Sequence, residues 1–171
     1  MIHRWARNRR QAPVGINAVR RTVAALEAEG FRTIDFDAEP GGVQHVVVGP
    51  TGVFAIETKG WTGRVHLKKD GRLVVSGRDR DDAVRRATAH AHEVARRLKE
   101  AEVGMWVEAV IVLAATSLPQ GRIRTGTVAV VEIGDLDRFL TQRPSPLEAA
   151  EIEQAVEAIR RGGRPSARAV G

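Results

Sequence analysis

The sequence predicts a single α/β domain in which helices flank a mixed β-sheet. Two apolar, β-branched runs flank the tetrapeptide G-P-T-G at residues 49–52, which is typical of a β-hairpin. Residues 81–101 carry apolar side chains at helical spacing, which predicts a long amphipathic helix. Residues 107–115 are almost continuously apolar, as expected for a central strand that is buried on both faces. A buried strand after a long helix favours helices packed against a sheet.

The remaining segments supply further helices and strands. Two strands follow the hairpin, and we expect them to extend it into one sheet of at least four antiparallel strands. The segment around Pro119 and Gly121 is predicted to be a loop. The other predicted elements are a helix at 15–30, strands at 33–37, 64–67, 72–76 and 127–133, a short helix at 134–140 and a last helix at 147–161.

Residues 15–161 are expected to form one domain. A chain of 171 residues is long enough for one full core and short for two. Residues 1–14 are predicted to be a basic arm, which includes Arg9 and Arg10. Residues 162–171 contain Gly, Arg, Pro and Ser without an apolar stripe, which predicts a disordered tail.

The composition narrows the classes of partner and chemistry. Lys and Arg total 27 against 21 Asp and Glu, and the resulting net charge of +6 favours polyanionic partners such as nucleic acid. The absence of Cys excludes a disulfide framework, a thiolate nucleophile and a zinc site built on sulfur. No apolar run resembles a signal peptide or approaches the ~20 residues of a membrane span, so we expect a cytoplasmic protein without a membrane partner.

The hairpin brings three polar side chains to one face of the sheet. With the turn at 49–52, the residue numbers of antiparallel partners have a constant sum, which pairs Gln44 with Glu57. Side chains alternate between faces, so Gln44, Glu57 and Lys59 should share one face. A carboxylate can bind Mg²⁺, and a neighbouring ammonium can orient an attacking water or stabilise a phosphoryl transition state. A solvated cross-strand pair has the same pattern, so spacing alone leaves both interpretations open.

The same hairpin resembles a known family. Its residues 42–63 read G-V-Q-H-V-V-V-G-P-T-G-V-F-A-I-E-T-K-G-W-T-G. They closely resemble the signature of the NERD, or nuclease-related, domain, in which I-D-H-V-V-V-G-P is followed by G-V-F-V-I-E-x-K and a glycine. The likeness extends loosely over residues 15–140. It implies a PD-(D/E)XK nuclease-like fold, with a mixed sheet flanked by helices, and a site of Asp and Glu-x-Lys that binds Mg²⁺ or Mn²⁺ and cleaves phosphodiesters.

The resemblance assigns roles to individual residues. Glu57 matches the family's metal-binding acid and Lys59 its lysine, so both are candidate catalytic residues. Gln44 stands at the position of the family's metal-binding Asp, where it is a candidate catalytic residue and metal ligand. Its amide oxygen can contact Mg²⁺ but brings no negative charge. Arg86 stands where the family has Gln, and His90 lies near a position where the family often has His.

Two further features of the site follow from the comparison with the family. The first helix has no Glu at residues 16–18, where the family usually has one, and an acid at Asp35, Asp37 or Glu39 could supply a second carboxylate. A lone helical histidine is more often solvent-facing than functional, which is the alternative for His90. The residues expected to bind nucleic acid are Arg86, His90, Arg9, Arg10, Arg20 and Arg21.

Three functions remain open at this stage. The first is a divalent-metal-dependent nuclease with nucleic acid, most simply DNA, as its substrate. The second is a degenerate nuclease that binds nucleic acid without cutting it, and the third is a protein-interaction domain on the same fold. The fold is common to all three and cannot choose among them. Gln44 in place of an acid favours impaired or absent catalysis.

Overall fold

The structure is a computed structural model that describes residues 15–35 and 45–162. Its helices are α1 (residues 15–25), α2 (Asp81–Glu100), α3 (Leu136–Thr141) and α4 (Ala149–Arg161). Its strands are β1 (Arg32–Asp35), β2 (His45–Gly49), β3 (Gly52–Lys59), β4 (Val65–Leu67), β5 (Leu73–Val75), β6 (Arg78–Asp79), β7 (Val107–Leu113), β8 (Arg122–Thr125) and β9 (Val128–Glu132). Short 3₁₀ turns lie at Glu27–Glu29, Pro119–Gly121 and Ile133–Asp135.

Six strands form a mixed sheet in the order β1-β2-β3-β7-β9-β8. The three central strands, β3, β7 and β9, run parallel, and the outer strands pair antiparallel with them or with each other. The hairpin has the predicted register, with Gly49 opposite Gly52. Glu57 lies opposite Ile111 on β7, so the carboxyl ends of β3 and β7 meet at the same edge of the sheet. This architecture confirms the α/β fold with helices around a mixed sheet.

The two faces of the sheet carry separate apolar cores. The face formed by residues such as Val53 and Ala55 packs against α2 and α4. The opposite face, with Phe54 and Ile56, packs against α1 and α3. The alternation along β3 therefore assigns Glu57 to the face that α2 covers.

Helix α2 connects two parallel strands and runs back across the sheet between them. Asp81 and Asp82 lie in its first turn and Arg97 and Lys99 in its last, and these charges complement the helix dipole. A stripe of small and branched side chains faces the sheet: Ala83, Ala87, Ala91, Val94 and Leu98. Because α2 connects parallel strands, its first turn lies toward the carboxyl ends of β3 and β7. None of the helices among the described residues has the length and apolarity that a membrane span requires.

The prediction of one antiparallel sheet that continues the hairpin is wrong. Strands β4, β5 and β6 form a separate three-stranded sheet. The free edge of β3 is occupied by β7, which pairs with it in parallel from Val53 to Lys59. Because that edge is filled, β4 cannot add to β3.

The segment after β7 also differs from the prediction. Pro119–Gly121 forms a 3₁₀ turn, but Arg122–Thr125 then forms the edge strand β8 rather than a loop. The sequence R-I-R-T has a single apolar side chain, so it gives little strand signal, and pairing with β9 decides its conformation. The first helix ends at residue 25, and Gly30 with a φ of 92° closes the turn that follows it.

Candidate active site

The last residues of β3 place a carboxylate and an ammonium together at the edge of the sheet. Glu57 is almost fully buried, with 1% of its side chain exposed, and Lys59 is 16% exposed. Lys59 Nζ lies 2.9 Å from Glu57 Oε2, which confirms that the two side chains share a face. Period-two alternation on a rigid central strand is sufficient to bring them together.

Helix α2 adds a histidine to this pair. His90 Nδ1 lies 2.6 Å from Glu57 Oε1, and a quarter of the His90 side chain is exposed. The sequence indicated a helical histidine with a possible role, but it gave no contact between His90 and Glu57. The contact arises because α2 packs across β3, which is a long-range feature that local periodicity does not report. We call Glu57, Lys59 and His90 the Glu57 cluster.

The side chains of the Glu57 cluster lie close together, but no hydrogen bond joins them among the described residues. Within the described part of the chain, neither oxygen of Glu57 has a hydrogen-bond partner, and neither has His90 Nδ1. A buried carboxylate normally receives hydrogen bonds, since an unsatisfied one is costly. Glu57 therefore has unused acceptor capacity at a site that solvent reaches through Lys59 and His90.

The third residue of the predicted set, Gln44, lies outside the described residues, and so does its pairing with Glu57. The suggestion that Asp35 supplies a second carboxylate is wrong. Asp35 pairs with His45 across the strands, and its neighbour Ile34 is part of the core on the α2 side. By alternation, Asp35 points to the face opposite Glu57. Asp37 and Glu39 lie outside the described residues.

The residues predicted to bind nucleic acid lie in different parts of the molecule. Arg86 is exposed on α2, one turn before His90, with its guanidinium 3.1 Å from Asp82. Arg20 and Arg21 are exposed on α1, and Arg20 pairs with Asp35 at 3.0 Å. These three arginines remain candidates because exposed ion pairs of this kind are weak and exchange readily. Arg9 and Arg10 lie outside the described residues.

A second buried histidine, His45, lies on the other face of the sheet. Its Nδ1 is 3.1 Å from Asp35 Oδ1, and its Nε2 is buried. Burial lowers the pKa of His45, although the Asp35 carboxylate opposes the shift. Neutral His45 is therefore the form that the fold favours, and it is separate from the Glu57 cluster.

The segment that carries this geometry matches the model of a known protein family. The family model described as the nuclease-related domain, NERD, matches residues 5–114. The chain belongs to the NERD family. The match includes the β2–β3 hairpin, α2 and β7, which carry or frame the Glu57 cluster, and the mixed sheet with flanking helices is consistent with a nuclease-like fold. Comparison with curated proteins and with solved structures gives no match.

The residues around Glu57 can be compared with what a divalent-metal site requires. Nuclease-related domains are typically metal-dependent, and a buried carboxylate without hydrogen bonds is suited to act as one ligand of a hard cation. Residues 15–35 and 45–162 contain no group of three or more acidic, His or Cys residues that could hold a metal ion. Lys59 also offsets the charge of Glu57. The described residues therefore fit a single-carboxylate site that would hold Mg²⁺ or Mn²⁺ weakly on its own.

Proposed function

We propose that this NERD domain is a nuclease of low intrinsic activity that hydrolyses phosphodiester bonds of nucleic acid, most simply DNA, with Mg²⁺ or Mn²⁺ at Glu57. The observation that carries the proposal is the buried Glu57 carboxylate, which lies 2.9 Å from Lys59 and 2.6 Å from His90 and has no hydrogen-bond partner among the described residues. A buried carboxylate without hydrogen bonds has a cost in stability, and unsatisfied polar groups of this kind are expected at functional sites.

The proposal gives each residue of the Glu57 cluster a separate task. Glu57 would be the one charged ligand among the described residues, and Gln44 would contribute a neutral oxygen. A bound divalent ion supplies Lewis-acid stabilisation of phosphate charge and a more acidic water. Lys59 would orient the attacking water and stabilise negative charge on the phosphoryl oxygens, because its ammonium lies at the edge where a substrate can approach. His90 would hold the Glu57 carboxylate in place.

A cleavage assay tests the enzymatic proposal. Purified protein is incubated with plasmid and with single-stranded DNA in Mg²⁺, in Mn²⁺ and in excess chelator. We expect slow cleavage that needs the metal and is lost in Glu57→Gln and Lys59→Ala. Glu157→Gln is a matched control, since Glu157 is an exposed glutamate on α4. Cleavage that persists undiminished in Glu57→Gln would come from a contaminant or from another site and would refute the proposal.

The variant Gln44→Asp is the sharpest single test of the proposed metal site. It restores a negative oxygen at the position where the family has Asp, so we expect tighter metal binding and cleavage faster by at least about tenfold, the lower end for changes around a metal. Weaker cleavage in Gln44→Asp would contradict the assignment of this position. Cleavage by Gln44→Asp with none at all by the wild type would show that the natural chain is not a nuclease.

The alternative function is nucleic-acid binding without cleavage. It is favoured by one observation, that the described residues contain no group of three or more His, Cys, Asp or Glu that could hold a metal ion. Binding that depends on salt, does not need metal and survives Glu57→Gln, together with no cleavage in any metal, would support this alternative. A protein that neither binds nor cleaves at low salt would exclude both functions and leave a protein-interaction role.

A further inference from the structure

An arginine outside the predicted site lacks the partners that its neighbours have. Arg80 immediately precedes α2, and its guanidinium carbon lies 4.5 Å from the ring centre of Trp61. Its Nε atom is buried and has no hydrogen-bond partner among the described residues. Stacking on an indole satisfies the flat face of a guanidinium, but the N–H groups point outward in the plane and still need acceptors.

The acidic residues around Arg80 do not fill this need, because each pairs with another cation. The pairs are Asp79 with Lys68 and Arg72, Asp81 with Arg85, and Asp82 with Arg86. Burial lowers the pKa of Arg80, and repulsion from Arg78 adds to this effect, while attraction to Asp82 offsets it only in part. Arg80 is therefore a partly buried cation whose local charges leave it incompletely compensated.

Both partners of the stack are held in place by the backbone around them. The carbonyl oxygen of Trp61 accepts a hydrogen bond of 2.8 Å from Thr116 Oγ1. The backbone N–H of Arg80 donates to the carbonyl oxygen of Leu73 at 2.9 Å. A guanidinium on an anchored platform, without an ion-pair partner among the described residues, is preorganised for an external acceptor.

The stack lies close to the Glu57 cluster. Trp61 is two residues beyond Lys59, which limits the separation of their Cα atoms to about 7 Å. Along α2, the helical rise from Asp81 to His90 is about 14 Å. One bound nucleic-acid strand could therefore contact both the stack and the Glu57 cluster.

We infer that Arg80, stacked on Trp61, binds a phosphate of the nucleic-acid backbone on the flank of the Glu57 cluster. This inference rests on the proposed function for its ligand class. A planar guanidinium fork matches two phosphate oxygens, and the outer N–H groups of Arg80, which no acid among the described residues engages, can donate to a phosphate. Arg80 is thus a substrate-positioning residue beside the reacting phosphate, and it acts on binding rather than on the chemical step.

Binding of a short fluorescent oligothymidylate to the full chain in excess chelator tests the inference, with the dissociation constant measured over a range of salt concentrations. The variants are Arg80→Gln, which loses the charge, and Arg80→Lys, which keeps it without the fork. Arg160→Gln is the control, because Arg160 is an exposed arginine in the last turn of α4. A thermal melt of each variant establishes that it is folded.

We expect Arg80→Gln to weaken binding about tenfold, as for the loss of one charged hydrogen-bonded contact. The slope of the logarithm of affinity against the logarithm of salt should also fall by about 0.7, the share of one phosphate on a single strand. Arg80→Lys should keep the slope and lose part of the affinity, and Arg160→Gln should change neither. If Arg80 served only to pack on Trp61, Arg80→Gln would alter the melting temperature but not the salt dependence of binding.

The outcomes separate this inference from the proposed function. If the wild type binds or cleaves and Arg80→Gln has the affinity and slope of Arg160→Gln, the phosphate role of Arg80 is refuted and the proposed function stands. If the wild type neither binds nor cleaves at low salt, the proposed function fails and the role of Arg80 fails with it. If Arg80→Gln does not fold, Arg80→Lys provides the test. A salt slope equal to that of the wild type together with tighter binding than the wild type would show that the planar guanidinium is not needed.

Discussion

Two buried glutamates lie at opposite ends of the parallel strands β3 and β7, and their partners predict opposite roles. Glu108, near the start of β7, accepts hydrogen bonds from Arg143 and Arg124. Glu57, near the end of β3, has none among the described residues. We therefore expect Glu108→Gln to lower stability with little effect on the activity of the protein that remains folded. Glu57→Gln should abolish activity at little cost in stability.

The magnitude for Glu108 follows from the exposure of its partners. The Glu108 side chain is 9% exposed, Arg143 is 25% exposed and also stacks on Phe139 at 4.4 Å, and Arg124 is 52% exposed. The bond from Arg143 is the strong one, because solvent screens the bond from Arg124. We expect Glu108→Gln to lower the free energy of unfolding by about 2–4 kcal/mol, most of it through Arg143. Glu57→Gln should stay within about 1 kcal/mol of wild type, since relief from desolvation offsets the lost ion pairs.

Urea denaturation of each variant, with a double-mutant cycle, measures these quantities. The coupling of Glu108 to Arg143, with Arg143→Met as partner variant, should exceed its coupling to Arg124 with Arg124→Met. Burial alone would raise the pKa of Glu108, but hydrogen bonds from Arg143 and Arg124 hold that pKa below its usual value of 4.5. The stability that Glu108 contributes is therefore present above pH 4.5 and is lost as the pH falls through the lowered pKa. Equal losses of stability in Glu57→Gln and Glu108→Gln would refute the division of roles.

Two further predictions concern the face of the sheet opposite Glu57. Because burial lowers the pKa of His45, the unfolded chain binds more protons than the folded one just below the usual pKa of 6.5, so stability falls as the pH falls through that range. His45→Gln should therefore reduce the drop in urea midpoint between neutral and mildly acid pH, whereas His92→Gln, a change at an exposed histidine, should not. Identical pH profiles for the two variants would contradict the assignment. Gly49→Ala should lower the free energy of unfolding by about 1–3 kcal/mol, because an added Cβ would overlap the ring of Phe31. Gly104→Ala, which meets nothing within 4 Å, is its control in the same thermal melts, and equal stability of the two would show that the ring moves aside freely.

The features that the sequence could predict are those decided by local pattern. The alternation of β-branched residues and the turn at Pro50 fix the register of the hairpin, and the same alternation places Glu57 beside Lys59. The stripe of α2 is equally local, and its predicted end differs by one residue from the observed Glu100.

The features that could not be predicted depend on which distant segment fills an edge or covers a face. Strand signals around β4 and β5 are correct, but they do not report that β7 already occupies the edge of β3. The contact of His90 with Glu57 requires α2 to cross β3 at one position, and the stack of Arg80 on Trp61 requires the small sheet to fold back toward β3. In each case the sequence contains the residue types, but the segment that each one contacts is decided only by the three-dimensional fold.

The charge of the Glu57 cluster constrains the order in which a nuclease of this kind could assemble. One carboxylate faces one ammonium and one imidazole, so the net charge is zero or positive, which attracts a phosphate more readily than a free cation. Mg²⁺ in phosphoryl-transfer sites is commonly held by one or two carboxylates together with substrate phosphates. Under the proposed function, the phosphate of the nucleic acid would supply the negative oxygen that Gln44 lacks, and Arg80 would help to bring it there. Metal and nucleic acid would then each raise the affinity of the protein for the other by the same factor, because linkage is reciprocal. Weak metal binding by the free protein is therefore compatible with metal-dependent cleavage, and under the proposed function the residue at position 44 would set how strongly the two ligands depend on each other.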